Sequence, residues 1–449
     1  MKVLIINGSP AGENSITLQT ALFIEKHFSQ DSFDVIHAAQ KIRSYQKDFS
    51  GCAEKLKEAD LLLFCYPVYT FLAPAQLHQF ISLIKENNID LSGRYAAQIT
   101  TSKHFYDVTA HTWLQQMCTD MQLRFIGGLS ADMEDLLAEK GQQDALSFWN
   151  YVHFAAEKGI VKEITAVQKK ELYAASPCAP LTQKSLRRVV IVADLADDTD
   201  GLLLSMIRRL QNRMNANTEV ADISTFPFQG GCLGCFRCAA SGKCFYTDGF
   251  ADWLRSTIQT ADAVVYAYTI KDHSMGMQFK LFDDRQFCNG HRTVMMGKPV
   301  GYLVSGNLSQ EENLKVLMHA RAQVGGNYPA GIACNETQPD KAIDDLADVL
   351  DYALKENLQQ PADFYGVGGM KIFRDLIYQM QGMMREDHRF YKRHGFYDFP
   401  QKHKGRIMAM YLVGAMMSSQ KLQNKAAGKM TEGMIMPYKM IIDKAGKKR

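Results

Sequence analysis

The sequence predicts an α/β protein with two tandem, doubly wound parallel sheets and a helical C-terminal extension. Short apolar runs alternate with segments of helical periodicity, as in repeated βαβ units. The layout around Ala59–Cys65 recurs at Ala261–Ala267, and the run that follows Arg94 recurs after Lys298. A third observation is a change of composition in residues 361–449, which hold 17 Lys and Arg against 7 Asp and Glu, and 12 of the 23 methionines. The chain therefore contains two copies of one unit and a basic, Met-rich extension.

The 449 residues are enough for two or three domains, each with its own core. We expect a first domain at 1–165, a linker at 166–184, a second domain at 185–355 and the extension at 356–449. No apolar run is long enough to cross a membrane, and the N-terminus lacks a signal-peptide pattern. We therefore expect a cytoplasmic protein, in which cysteine thiols stay reduced.

The first strand, Lys2–Ile6, is followed by the loop Gly8-Ser9-Pro10 and by a helical segment, Leu18–Phe28. Small hydroxyl side chains and free N–H groups at the start of a helix form a phosphate site. No lysine follows the loop, which argues against a nucleoside-triphosphate site. The alternative is an ordinary turn in which Ser15 or Thr17 caps the helix.

Two further strands of the first domain end in polar and aromatic loops. Ala59–Cys65 leads into Pro67–Phe71, and Tyr95–Thr100 leads into Thr101 and Ser102. Open α/β sheets bind ligands at the carboxyl ends of their strands. The three loops together predict a site for a phosphorylated planar cofactor.

These loops carry a family resemblance. Gly8-Ser9-Pro10 followed by Ser15 and Thr17, and Pro67-Val68-Tyr69 followed by Pro74-Ala75-Gln76-Leu77, resemble the flavodoxin-like NAD(P)H-dependent FMN reductases. The resemblance implies two flavodoxin-like domains, FMN as cofactor and NAD(P)H as co-substrate. It also implies that the phosphate is held by Ser9, Ser15 and Thr17, and that the flavin ring lies along Pro67, Val68, Tyr69, Thr70 and Phe71, with Thr101 and Ser102 on its far side.

The sequence pattern assigns no catalytic residue. A flavin carries the hydride chemistry itself, and the protein positions and tunes it. His104, Tyr106, Asp107 and His111 are the nearest candidates for proton handling. The alternative is that they are ordinary polar residues of a loop and a helix.

The second domain repeats the strand pattern from Arg187–Val192 and Thr218–Ile223 onward. Where the first copy has its phosphate loop, the second has Ala193–Asp200, which contains four carboxylates. Carboxylates repel a phosphate. The second copy is therefore predicted to be a degenerate unit without a phosphate site of its own.

Four cysteines in the second domain follow the spacing C-x2-C-x2-C-x5-C: Cys232, Cys235, Cys238 and Cys244. Such spacing lets thiolates converge from one glycine-containing loop, as an iron–sulfur cluster requires. Zinc and redox-active or structural thiols remain as alternatives. The loop resembles that of the iron–sulfur flavoproteins, which implies a four-iron cluster. In this chain the cluster would have to approach an FMN that is held by the other repeat.

The extension is predicted to begin with a turn at Phe364–Gly369 and a helix at Met370–Met384. Arg385–Lys404 is basic and aromatic, and the apolar run Met408–Met417 is too short to span a bilayer. One reading is a helical segment that packs on the two domains. Another is docking to a membrane surface or a partner, since Met-rich faces suit adaptable interfaces. No nucleic-acid-binding signature is present.

The leading hypothesis is an FMN-dependent oxidoreductase that moves electrons between NAD(P)H or a small electron carrier and an acceptor, with an iron–sulfur cluster at Cys232–Cys244. Its expected partners are a small-molecule or small-protein electron donor or acceptor and a second copy of the chain in a homo-oligomer. One alternative is a plain NAD(P)H:acceptor reductase whose cysteine loop binds zinc or is redox-active. Another is a non-enzymatic electron-transfer or docking module.

Overall fold

The computed structural model describes residues 1–162, 170–399, 403–417, 435–436, 438–439 and 441–442. Part of the predicted linker and most of the extension after residue 417 lie outside the described residues. The chain divides into two compact units, Met1–Phe390 and Tyr391–Arg449. The four ranges expected from the sequence, for the two domains, the linker and the extension, stay predictions.

The first sheet has five parallel strands in the order β2-β1-β3-β4-β5, which is the order of a flavodoxin-like doubly wound sheet. Its strands are β1 (Lys2–Asn7), β2 (Ser32–Ile36), β3 (Leu61–Pro67), β4 (Tyr95–Ser102) and β5 (Arg124–Asp132). Its helices are α1 (Ile16–His27), α2 (Ile42–Tyr45), α3 (Ser50–Glu58), α4 (Ala75–Glu86), α5 (Asp107–Asp120) and α6 (Glu139–Lys158). The predicted fold class is confirmed for this half.

The second sheet repeats the arrangement. Its strands are β6 (Arg188–Ala193), β7 (Asn217–Asp222), β8 (Ala263–Thr269), β9 (Pro299–Ser305) and β10 (Tyr328–Cys334), in the order β7-β6-β8-β9-β10. Its helices are α7 (Leu202–Arg213), α8 (Arg237–Ser241), α9 (Phe250–Trp253), α10 (Met277–Arg285), α11 (Glu312–Val324) and α12 (Pro339–Glu356). The topology is that of the first sheet, so the predicted repeat is also confirmed.

The strands match between repeats position by position. Leu62 pairs with Ala96 across β3 and β4, as Val264 pairs with Val300 across β8 and β9. The central strands are apolar and buried on both faces because helices cover both sides of a parallel sheet. The helices α4 and α10 pack against each other, and one apolar core contains residues of both repeats, among them Phe80 and Phe282. The ligand edges of the two sheets are thereby brought together.

The predicted turn at Phe364–Gly369 is wrong, because these residues begin helix α13 (Phe364–Gln379). Asp363 caps the helix by accepting hydrogen bonds from the N–H groups of Tyr365 and Gly366. The glycines serve close packing rather than a turn. A Cβ at Gly369 would lie 2.7 Å from a methyl group of Val324.

Two further helices follow, α14 (Arg385–Arg393) and α15 (Lys404–Met417). Helix α15 is apolar and its described side chains are exposed, including Met408, Tyr411 and Leu412. Within the described parts of the chain, no helix combines the length and the apolar character needed to cross a membrane.

Candidate flavin and cysteine site

A cavity of about 530 Å³ opens where the carboxyl edges of the two sheets meet. All of the predicted site residues line it: Ser9, Ser15, Thr17, Pro67, Val68, Tyr69, Thr70, Phe71, Thr101, Ser102, Cys232, Cys235, Cys238 and Cys244. The first ten come from the first repeat and the four cysteines from the second. The structure thus places the two predicted sites in one space.

The loop between β1 and α1 brings small hydroxyl groups to the start of a helix. Ser15 caps α1, since its Oγ accepts a hydrogen bond from the N–H of Leu18 at 3.3 Å. Thr17 has a different role: its Oγ1 lies 2.6 Å from Oγ1 of Thr101, which joins the first loop to the third. The capping alternative therefore holds for Ser15, while Thr17 links two loops of the site.

One buried hydroxyl in the cavity has no protein partner. Ser102 Oγ is shielded from solvent and makes no hydrogen bond, although β4 ends there at the ligand edge of the sheet. Such an orphaned group is costly unless another atom satisfies it. A bound ligand with a polar edge would supply that partner.

The loop after β3 is held in an unusual backbone conformation. Thr70 and Phe71 have φ of 45° and 69°, the left-handed region that side chains other than glycine rarely adopt. Residues of helix α10 support it: Thr70 Oγ1 donates to Asp284 and accepts from Lys280 at 2.8 Å. Strain of this kind is maintained where the surroundings over-determine the backbone, often at a functional site.

The cysteine loop of the second repeat lies directly against this loop of the first. Gly234 approaches the Tyr69 hydroxyl so closely that a Cβ at Gly234 would overlap it. Gln76 Nε2 donates to the carbonyl oxygen of Cys232 at 3.2 Å. Burial raises the pKa of the Tyr69 phenol well above its ordinary value, and nearby Cys232 adds to the effect.

The four thiols of the cysteine loop form no disulfide with one another or with the other described cysteines. Burial raises the pKa of Cys232 and Cys238, whereas Cys235 is exposed. Among the described residues, no group of three or more His, Cys, Asp or Glu side chains has the geometry of a metal site. The four predicted ligands share the cavity but do not converge on one centre.

Arg285 of α10 anchors both ends of the cysteine loop. Its guanidinium donates to the carbonyl oxygen of Gly230 at 2.9 Å and forms two bonds to the Asp248 carboxylate, at 2.7 and 2.8 Å. It also lies over the Tyr246 ring, 4.4 Å from its centroid. No sequence pattern indicates this role, because Arg285 is distant along the chain from the loop it holds.

The first repeat matches a known protein family. Residues 1–131 match the family model described as NADPH-dependent FMN reductase. The predicted family resemblance is confirmed. The match supports the predicted oxidoreductase class and the flavin assignment of the first repeat, and it ends within β5.

The chain is also similar to individual proteins. It is 25% identical over 174 residues to an iron-sulfur flavoprotein of Archaeoglobus fulgidus, over 37% of this chain and 79% of that protein. A solved FMN-dependent NADH-azoreductase of Bacillus anthracis matches with 17% identity over 35% of this chain and 99% of its own, at a TM-score of 0.27. The NAD(P)H:acceptor oxidoreductase FerB of Paracoccus denitrificans matches with 16% identity over 35% and 97%, at a TM-score of 0.28.

The four residues predicted as candidates for proton handling do not line the cavity. His104 Nε2 lies 3.2 Å from the Asp135 carboxylate, and His111 Nε2 lies 2.7 Å from Thr100 Oγ1. Tyr106 and Asp107 are likewise absent from its lining. The residue His291 does line it, held by a 3.0 Å contact between its Nδ1 and Asp387.

A fifth thiol, Cys288, also lines the cavity, although no sequence pattern indicates this. Burial raises its pKa to about 12, and Cys244 and Cys238 are close enough to contribute. It belongs to no spacing motif, so only the fold brings it beside the other four.

The loop between β6 and α7 of the second repeat lacks the Gly-Ser-Pro sequence of the first repeat. A carboxylate already accepts the hydrogen bonds of N–H groups at the start of α7. Asp198 accepts hydrogen bonds from the N–H groups of Leu203 and Leu204 at 2.8 and 2.9 Å. Asp194 is buried, and this burial raises its pKa to about 6. These carboxylates take the place that a phosphate would need.

Proposed function

We propose that the chain is an FMN-dependent, NAD(P)H-linked oxidoreductase in which the flavin of the first repeat exchanges electrons with an iron–sulfur cluster on Cys232, Cys235, Cys238 and Cys244. The observation that carries the proposal is the contact between the two loops, with Gly234 packed on the Tyr69 hydroxyl and both loops lining one cavity. The match of residues 1–131 to the FMN reductase family supports the flavin half.

The residues of the first repeat fit FMN. Ser9, Ser15 and Thr17 offer hydroxyl and backbone donors at the start of α1, and Ser102 Oγ is a buried group that needs a partner. The Thr70–Phe71 backbone gives the cavity a fixed wall for a flat ring. Bound FMN would accept hydride and release single electrons. The chain itself would bind the phosphate, orient the ring and exclude water.

The cysteine loop fits a cluster in the number and kind of its ligands. Four thiols on one loop are the set that a four-iron cluster uses. Raised pKa values at Cys232 and Cys238 mean that these thiols are protonated in the absence of metal, and coordination requires that they lose those protons. Loading also requires the side chains to turn toward one centre, since they do not converge as described.

The test is to purify the protein anaerobically and to measure its absorption spectrum, iron and acid-labile sulfide. Flavin bands together with a broad iron–sulfur shoulder are expected. Cys235→Ala should lose iron and the shoulder and keep the flavin. The matched control Cys178→Ala, a cysteine outside the cavity, should keep both. Iron-free protein with a full flavin complement would overturn the cluster.

A reductase without a cluster is the second candidate, and the unconverged thiols favour it. In that case the loop binds zinc or cycles between thiols and a disulfide, and metal analysis finds zinc or no metal. A non-enzymatic electron-transfer or docking module would not oxidise NADPH or NADH with a generic acceptor. Steady turnover by the isolated protein would eliminate it.

The partners remain proposals of the same kind. We take them to be a small-molecule or small-protein electron donor or acceptor and a second copy of the chain. Docking through the tail would use α15, whose exposed apolar side chains include Met408 and Leu412. Flotation with anionic vesicles, comparing the full chain with one ending before Lys404, tests a membrane role; equal behaviour of both would rule it out. A cytoplasmic location remains a prediction.

A further inference from the structure

The cavity extends beyond the two loops into the interior of the second repeat. Three of its inner lining residues are Tyr266 of β8, Asp283 of α10 and Arg321 of α11. None of the three belongs to the flavin loops or the cysteine loop. The proposed electron transfer gives them no role.

The equivalent positions in the first repeat are occupied by residues of its apolar core. By the strand pairing and the matching helices, Tyr266 corresponds to Phe64, Asp283 to Ile81 and Arg321 to Met117. The three residues of the first repeat are apolar and fully buried, with 0 to 1% of each exposed. All three are polar or charged in the second repeat.

The replacements place polar residues in the lining of the cavity. Arg321 forms an ion pair with Asp283 Oδ1, and 28% of its side chain is exposed. Asp283 Oδ2 is buried and has no hydrogen-bond partner. The same is true of the Tyr268 hydroxyl, whereas its first-repeat counterpart, the Tyr66 hydroxyl, donates to Gln98 at 2.6 Å.

An arrangement of this kind does not favour stability. A buried ion pair is often no better than apolar residues of similar size, and an unsatisfied buried oxygen is costly. The first repeat demonstrates that the fold accommodates an apolar alternative at each position. The polar set therefore indicates a ligand that uses these groups.

We propose that the inner cavity around Tyr266, Asp283 and Arg321 is a second binding site, separate from the flavin loops, for a small uncharged aromatic molecule that carries a hydroxyl or carbonyl oxygen. The walls are aromatic, with the Tyr266 and Tyr302 rings 5.8 Å apart and Phe279 5.8 Å from Tyr266. The charges of Arg321 and Asp283 offset each other, which disfavours an ionic ligand. The free Asp283 oxygen would accept a hydrogen bond from a ligand hydroxyl, and the Tyr268 hydroxyl would donate to a ligand hydroxyl or carbonyl oxygen.

The test uses p-cresol as the probe on the full-length protein, with binding followed by saturation-transfer NMR and calorimetry. Toluene and benzoate are the apolar and anionic controls, and each is expected to bind at least about tenfold more weakly than p-cresol, which corresponds to the loss of one good polar interaction. Binding of p-cresol should be unchanged when FMN is added in excess. Displacement by FMN would place the probe in the flavin cleft and overturn the proposal.

The first repeat supplies the matched variant. Tyr266→Phe, Asp283→Ile and Arg321→Met together restore its apolar set and should abolish p-cresol binding, while the melting temperature stays the same or rises. A purely structural role predicts the opposite change in melting temperature. Tyr268→Phe removes a single hydroxyl and should weaken p-cresol about tenfold in a folded protein. The site is refuted if both Tyr268→Phe and the triple variant bind p-cresol as tightly as the parent. Should the triple variant fail to fold, the affinity of Tyr268→Phe for p-cresol decides the question by itself.

Discussion

Lys280 donates a hydrogen bond from Nζ to the carbonyl oxygen of Tyr69, at 2.9 Å, and thereby ties helix α10 of the second repeat to the predicted flavin loop of the first. Lys280 is completely buried and forms an ion pair with Asp284, one turn further along the helix. Asp284 in turn accepts a hydrogen bond from the N–H of Ala75 at 2.8 Å. The conformation of the Tyr69 loop therefore depends on the second repeat.

The first prediction concerns that ion pair. Lys280→Met leaves Asp284 buried without its charged partner and removes the support of Tyr69 and Thr70. Removing one member of a buried pair typically costs about 3–5 kcal/mol. We expect a loss of unfolding free energy of that order in urea and an FMN affinity at least about tenfold lower. The exposed lysine variant Lys371→Met is the control; if Lys280→Met binds FMN like the parent, the loop does not depend on this contact.

The second prediction concerns the phosphate end of the flavin site. Thr17→Val keeps the shape of the side chain but removes a hydroxyl that is 2.6 Å from Thr101 Oγ1. The proposed function has the Thr17 hydroxyl donate to the FMN phosphate. Loss of one hydrogen bond to a charged group costs about 1.5–3 kcal/mol, so FMN should bind roughly 10- to 100-fold more weakly. Quenching of flavin fluorescence measures the affinity. Thr112→Val, at a half-buried position of α5 outside the cavity, should have no effect, and riboflavin, which lacks the phosphate, should be less sensitive than FMN to Thr17→Val.

The third prediction concerns the anchor of the cysteine loop. Arg285→Met breaks the bonds to Gly230 and Asp248 and leaves a buried carboxylate, so a cost of about 3–5 kcal/mol is expected. Iron content should fall because the ends of the loop are no longer held together. Arg187→Met, which breaks an exposed ion pair with Asp262, should leave stability within about 1 kcal/mol and iron unchanged. Full iron content in Arg285→Met would show that the loop orders itself without this anchor.

The sequence was sufficient for the features that follow from chain order. Parallel strands in a doubly wound sheet present their carboxyl ends at one edge, so loops such as Pro67–Phe71 and Thr101–Ser102 had to meet there. The four cysteines lie within one short loop, so their spacing alone predicts that their thiols are near one another. The acidic loop around Asp198 predicts repulsion of a phosphate from its composition alone, because carboxylates close together in sequence are also close together in space.

Contacts between distant segments could not be predicted. Cys288 and Arg285 join the site only through tertiary packing, as in the bonds from Arg285 to Gly230 and Asp248. His104 and His111 are close to the predicted loop in sequence, yet they turn to Asp135 and Thr100 instead. The glycines after Phe364 suggested a turn, whereas they permit close packing of a helix, which depends on a neighbour that no local pattern reveals.

The last prediction concerns a histidine between the repeats. His273 Nδ1 lies 2.8 Å from the Glu311 carboxylate, and its Nε2 lies 3.3 Å from Asp120, whose carboxylate also faces Lys85 at 3.6 Å. Burial alone would lower the pKa of the imidazole, but the hydrogen bonds to Asp120 and Glu311 outweigh it and raise the pKa from its ordinary 6.5 to about 9. The charged imidazole therefore stabilises the contact between α5 of the first repeat and the segments around His273 and Glu311 of the second.

Because the pKa of His273 is higher in the folded than in the unfolded chain, its stabilisation is complete below about pH 6.5 and is lost as the pH rises through about 9. We expect the unfolding free energy to fall by about 1–3 kcal/mol over this interval, less than the full shift implies because Asp120 is partly exposed to solvent. Urea titrations at half-unit pH steps measure the slope. His273→Gln should be less stable at pH 6.5 and should flatten the slope, whereas His27→Gln, on the exposed face of α1, should reproduce the parent curve. A slope that survives in His273→Gln would assign the pH dependence to other groups and contradict the charged state of this imidazole.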